Sequence, residues 1–119
     1  MSMRFKHSSG LTLGLILLLA GSAFAADDSV IRGQTLYRDN CKSCHEAGSA
    51  NGEYTPMTLI GVQWERFFDR KYERSHRDVI SDIHGGQPVT EGISDEILET
   101  IRNFSIDHAA DSENPMTCG

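Results

Sequence analysis

The densest chemistry in the 119-residue chain is Cys41-Lys42-Ser43-Cys44-His45. Two thiols three residues apart can hold a zinc ion, exchange a disulfide, or add to a porphyrin. An imidazole directly after the second thiol selects the third: Cys-x-x-Cys-His is the attachment signature of c-type haem. Each thiol adds to one vinyl group and leaves a thioether. One helical turn over this segment would put residues i and i+3 on one face, within reach of both vinyls. His45 then projects toward the iron as its proximal ligand. The expected cofactor is therefore one covalent haem c with its iron.

The elements that must position this motif begin after a segment of a different kind. Arg4, Lys6 and His7 form a positive start, Leu11 to Ala20 is an apolar run, and Ala23-Phe24-Ala25 is a small-x-small cleavage signal. That is the plan of a secretory signal peptide over residues 1–25. The apolar run is short for a transmembrane helix, and no cysteine follows it to carry a lipid. Export to the periplasm is expected, where thiols meet haem outside the reducing cytosol. No membrane attachment is expected after cleavage.

Removing residues 1–25 takes away two of eleven basic residues and none of the seventeen acidic ones, leaving a net charge of −8. Such acidity argues against nucleic acid and anionic membrane surfaces, and favours redox partner proteins with a basic docking face. No nucleophile–base or carboxylate pair stands out, so an enzyme of the hydrolase kind is not expected.

Along the mature chain, Ser29 can N-cap a helix from Val30 to about Asp39, with Gly33 and Tyr37 on one face. Glycine inside a helix usually marks close approach of another helix. Residues 46–58 read as loop. Trp64, Phe67, Phe68 and Tyr72 predict an amphipathic helix over 62–72. A short helix over 75–83 is expected, with Val79, Ile80 and Ile83 inward. His84-Gly85-Gly86-Gln87-Pro88 must turn. Ser94 caps the clearest helix, whose stripe is Ile97, Leu98, Ile101 and Phe104 and which fades near His108. No strand is expected. The fold class is all-α, three to five helices wrapped around one haem, with the domain at 26–108 and a polar tail at 109–119.

From about Val30 to Phe104 the sequence resembles the small class I cytochromes c of bacteria. Gly33-x-x-Leu36-Tyr37-x-x-Asn40-Cys41 is similar to that family's N-terminal helix entering its haem motif, and Ile93 to Phe104 to its C-terminal helix. The resemblance implies that these two helices cross near Gly33 and Tyr37. It also implies that the Pro56 carbonyl accepts the other ring N–H of His45 and fixes the imidazole. The function implied is one-electron transfer.

One departure bears on the iron's other side. The family carries a methionine in the loop before the last helix, and here Gln87 stands in its place. A glutamine oxygen is a hard, weak ligand beside a thioether. The distal candidates are His84 in the same loop, Met116 carried back by the tail, and Gln87 itself. Met57 would fall on the proximal face, and His76 and His108 lie on charged helical stretches expected to face solvent. Trp64 and Tyr54 are haem-pocket candidates; Trp64 either donates its indole N–H to a propionate or is a core aromatic. The alternatives to a carrier are a haem protein with an open distal site that binds a small ligand, and a haem subunit of a larger oxidoreductase. Cys118 has no partner if the other two cysteines carry haem, which raises a disulfide-linked dimer.

Overall fold

The computed structural model describes residues 27–117. The expected signal segment and Cys118 lie outside the described residues. Five helices are present among the described residues: α1 (Asp28–Tyr37), α2 (Gly61–Arg70), α3 (Tyr72–His76), α4 (Val89–Gly92) and α5 (Asp95–Asp107). Short turns of tighter or wider helix fall at Arg38–Lys42, Pro56–Thr58 and Asp82–His84. The all-α expectation holds, apart from a two-residue antiparallel ladder of β1 (Ile80–Ser81) with β2 (Gln87–Pro88).

The cap of α1 differs from the expectation. Asp27, not Ser29, is the N-cap: its carboxylate accepts the Ser29 N–H at 3.0 Å. A carboxylate serves better than a hydroxyl here, because it also meets the positive end of the helix dipole. The hydrogen bonds from Ser29 hold the Asp27 carboxyl below the usual carboxylate value. Ser94 caps α5 as expected, accepting the Ile97 N–H at 3.4 Å, with Asp95 and Glu96 in the first turn.

The expected crossing of the terminal helices is present. A Cβ built on Gly33 would lie 2.7–2.9 Å from the Phe104 side chain, so α1 and α5 touch where the glycine leaves room. Tyr37, Ile101 and Phe104 form the buried core at this crossing, with Val30, Leu36, Phe68, Ile97 and Met116 packed around it. The Arg32–Glu96 ion pair bridges the same two helices at 2.8 Å, but both side chains are exposed, so it adds little.

The expected helix over 75–83 is corrected. The chain leaves α3 after His76, and Val79, Ile80 and Ile83 are exposed (45, 62 and 57 %) instead of inward. The β-branched pair Val79–Ile80 suits extended backbone, and Gly85 and Gly86, both at positive φ, close the hairpin that pairs Ile80–Ser81 with Gln87–Pro88. The tail is also more than a tail. Ala109 is fully buried, the Ala110 N–H reaches the Leu59 carbonyl at 3.1 Å, and the Asp111 carboxylate accepts the Gly61 N–H at 2.8 Å. Residues beyond 108 thus cap α2 from a distance, and the domain does not stop at His108. His108, expected in solvent, is buried with its Nδ1 2.7 Å from the Asn114 carbonyl.

Two outcomes test this packing. Alanine is worth about 1 kcal/mol over glycine in a helix interior, but overpacking at this crossing costs about 1–3 kcal/mol. Gly33→Ala should therefore lower stability in denaturant unfolding. Asp27→Ala should lower stability at neutral pH. Because the folded-state pKa is depressed, the contribution exists above the unfolded value of 3.8 and disappears as pH falls through the folded value. The gap between variant and parent should close in acid unfolding curves.

Candidate functional site

The Cys41–His45 segment does make a helical turn. The Cys44 and His45 N–H groups both donate to the Cys41 carbonyl, at 3.2 and 3.0 Å. Cys41, Cys44 and His45 open together onto a cavity of about 770 Å³. A volume of this order belongs to a buried ligand of considerable size. Much of the rest of the lining is aromatic and aliphatic: Tyr37, Trp64, Phe67, Tyr72, Leu98 and Ile101. Arg66, Arg70 and Lys71 stand at the rim and are exposed. The basic side chains of α2 and of Lys71 are therefore solvated and border the cavity.

His45 is held from behind. Its Nδ1 lies 3.2 Å from the Asn51 carbonyl and 3.1 Å from that of Gly52. Those carbonyls arrive because the 45–54 loop closes on itself: Tyr54 N–H donates to the His45 carbonyl at 3.0 Å, and Ser49 Oγ to that of Cys44 at 2.6 Å. The expected partner, the Pro56 carbonyl, is taken instead by the Trp64 indole N–H at 2.7 Å. Two expectations are corrected by this one bond. Pro56 is buried and does not line the cavity, and the Trp64 N–H is spent on the backbone, not offered to a propionate. Trp64 still lines the cavity with its ring, and Tyr54 packs edge-on to His45 at 5.1 Å between ring centres.

Of the three distal candidates, the structure brings one to the cavity. Gln87 is exposed on β2 and does not line it. Met116 is carried back by the tail as expected, but onto the core beside Tyr37, Ile101 and Phe104, away from the cavity. His84 is buried in the wall, yet both ring nitrogens are engaged: Nδ1 with Ser81 Oγ and Nε2 with Asn40 Oδ1, each at 3.0 Å. Asn40 in turn donates to the Leu36 carbonyl at 2.9 Å. His84 thereby ties its loop to the residue just before Cys41. Met57 is exposed and absent from the lining.

A residue expected in solvent takes their place. His76, at the end of α3, is half-buried and lines the cavity. Its ring centre is 6.1 Å from that of His45, with the planes at 73°. Its Nδ1 is 2.9 Å from the Tyr72 carbonyl, and its ring stacks on Tyr72 at 5.0 Å. The signal was available: Trp64, Phe68, Tyr72 and His76 recur every fourth residue, a stride that α2 and α3 continue across the break at Lys71. The charged residues between them disguise it.

Tyr72 supplies a test of what the cavity takes. Its hydroxyl is buried and has no hydrogen-bond partner among the described residues. Burial, and to a smaller extent the neighbouring Cys41, pushes its pKa up to about 12, so it is a neutral phenol at ordinary pH. A cavity with an unsatisfied donor, an apolar lining and a cationic rim matches a large, mostly apolar ligand bearing acceptors and carboxylates. A porphyrin with its propionates fits that description. Trp64→Phe should cost about 1–3 kcal/mol in denaturant unfolding, since it strands the buried Pro56 carbonyl.

A family model described as Cytochrome c matches residues 30–111. No curated protein and no solved structure matches the chain.

Proposed function

The chain belongs to the cytochrome c family, haem-based electron-transfer proteins that carry haem c covalently, and we propose that it is a periplasmic one-electron carrier with a single haem. The observation that carries the reading is the Cys41–His45 turn opening onto the aromatic cavity, with both thiols and the proximal imidazole on one wall. When bound there, the haem iron stores one electron in its ferrous form and gives it up in its ferric form.

The chain's own residues do the rest. Cys41 and Cys44 hold the cofactor by thioethers and make its loss impossible without breaking a covalent bond. The Asn51 and Gly52 carbonyls keep the His45 N–H on Nδ1, which leaves Nε2 for the iron and raises its basicity. Phe67, Phe68, Tyr72, Leu98 and Ile101 line the cavity with apolar surface, which would keep water from a bound cofactor. Arg66, Arg70 and Lys71 offer donors to the carboxylates at the rim.

Export rests on the pattern of residues 1–25, and the acidic mature chain suits partners with a basic docking face. Val79, Ile80 and Ile83 are exposed, and Val79 also lines the cavity. Exposed apolar side chains of this kind suit the brief, low-area encounters of redox proteins. No helix among the described residues is long and apolar enough to cross a membrane.

The test uses the full chain expressed with haem-attachment machinery. The periplasmic fraction should contain a product starting at Ala26 that keeps haem in denaturing gels, and Cys41→Ala with Cys44→Ala should abolish retention. The purified protein should titrate as a reversible one-electron couple, and its ferrous form should not take up carbon monoxide. Rapid and complete uptake would replace the carrier reading with that of a ligand-binding haem protein.

A further inference from the structure

We propose that His76 is the distal ligand of the haem iron, opposite His45, so that the iron is held between two imidazoles. The inference rests on haem being attached at Cys41 and Cys44 with His45 on the proximal side.

Distance is the first support. A metal–imidazole nitrogen bond is about 2 Å, and the ring centre lies roughly 1 Å beyond the nitrogen, so two imidazoles on one axis through a metal have centres about 6 Å apart. His45 and His76 have centres 6.1 Å apart. The 73° between their planes is compatible with both planes containing a common axis, as two such ligands require.

Tautomer is the second. A ligating histidine donates its other ring N–H to a carbonyl or carboxylate. Both rings have this partner: Nδ1 of His45 meets the Asn51 and Gly52 carbonyls, and Nδ1 of His76 meets the Tyr72 carbonyl. Both Nε2 atoms are left for the cavity. Carbonyls only accept, so each imidazole is fixed as the Nδ1–H form. Rigidity is the third. His76 stacks on Tyr72 at 5.0 Å and meets Phe67 edge-on at 6.2 Å, so the ring is already oriented.

The competing side chains are each accounted for. His84 would have to abandon Asn40 to free its Nε2. Its role is to position: it links the 81–84 turn to the residue preceding Cys41. Gln87 and Met116 do not reach the cavity. The ligand that the loop before the last helix lacks is therefore supplied from α3.

The experiment compares variants of the full chain, expressed with haem-attachment machinery, by electron paramagnetic resonance of the ferric form and carbon monoxide binding to the ferrous form. The parent should be low-spin and unreactive. His76→Ala should become high-spin and take up carbon monoxide, and added imidazole should restore the low-spin signal, which a mere folding defect would not allow. His76→Met should stay six-coordinate with a raised potential, because a thioether replaces an imidazole. His84→Ala should remain low-spin. A low-spin, unreactive His76→Ala protein would overturn the assignment while leaving the carrier reading intact, and so would a His84→Ala protein that opens the site. A parent that is itself high-spin and reactive would overturn both.

Discussion

The contact on which the site depends is remote from it: α1 against α5 at Gly33 and Phe104. With no Cβ on Gly33, the two helices approach until the Phe104 ring fills the gap. That approach buries Tyr37 one turn further along α1, against Phe104 and Trp64. Tyr37 is the last residue of α1, and the wider turn Arg38–Lys42 starts at the next position. Anything that pushed the helices apart would rotate the end of α1 and with it the two thiols. The crossing thus sets the direction in which Cys41 and Cys44 enter the cavity.

The consequence is a domain with a small core and a large cavity. Fully buried apolar side chains are few, centred on Tyr37, Ile101 and Phe104. Much of the remaining apolar surface of α2, α3 and α5 faces the cavity rather than another helix. A chain this short buries a modest fraction of its surface on folding. Here the missing contact is what a covalent cofactor provides, and anything bound to the folded state alone also stabilises it. Haem in this architecture is as much a structural element as a redox centre. The same reasoning accounts for Tyr72, whose phenol is buried without a hydrogen-bond partner among the described residues, in a cavity suited to a ligand with acceptors.

What could be read in the sequence follows a physical division. The haem motif and the stripe of α5 were legible because each rests on local spacing: three residues for the thiols, four and three along Ile97, Ile101 and Phe104; a glycine inside α1 announced a close helix approach, and the resemblance supplied which helix it would be. The partner of His45 was not legible. It depends on how the 45–54 loop folds on itself, which no periodicity announces. The indole of Trp64 then engages the Pro56 carbonyl through a bond eight residues long in sequence. The hairpin at 80–88 was missed because Val79, Ile80 and Ile83 mimic an inward helical face, whereas β-branched residues before a Gly-Gly turn also suit a ladder. His76 was hidden by the charges that surround it, although its four-residue stride from Trp64, Phe68 and Tyr72 was present throughout.

Placing the distal imidazole on α3 instead of in the loop before α5 changes what the loop is for. A loop that carries a ligand must hold that side chain at bonding distance. Freed of that task, the 80–93 segment here packs: His84 is pinned between Ser81 and Asn40, and Gly92 lies so close to His84 that a Cβ there would collide with it. The ligand itself sits at a helix end, with its Nδ1–H bonded to a carbonyl one turn earlier and its ring stacked on Tyr72. Two such anchored imidazoles leave little room for the iron's surroundings to rearrange when its charge changes by one, and a small rearrangement favours fast electron exchange. They would also donate more strongly than a thioether, which would favour the ferric form and set the potential below that of a Met/His pair. A carrier built in this way would give its electron readily, and a distal position filled by His76 would keep small ligands from competing for the iron.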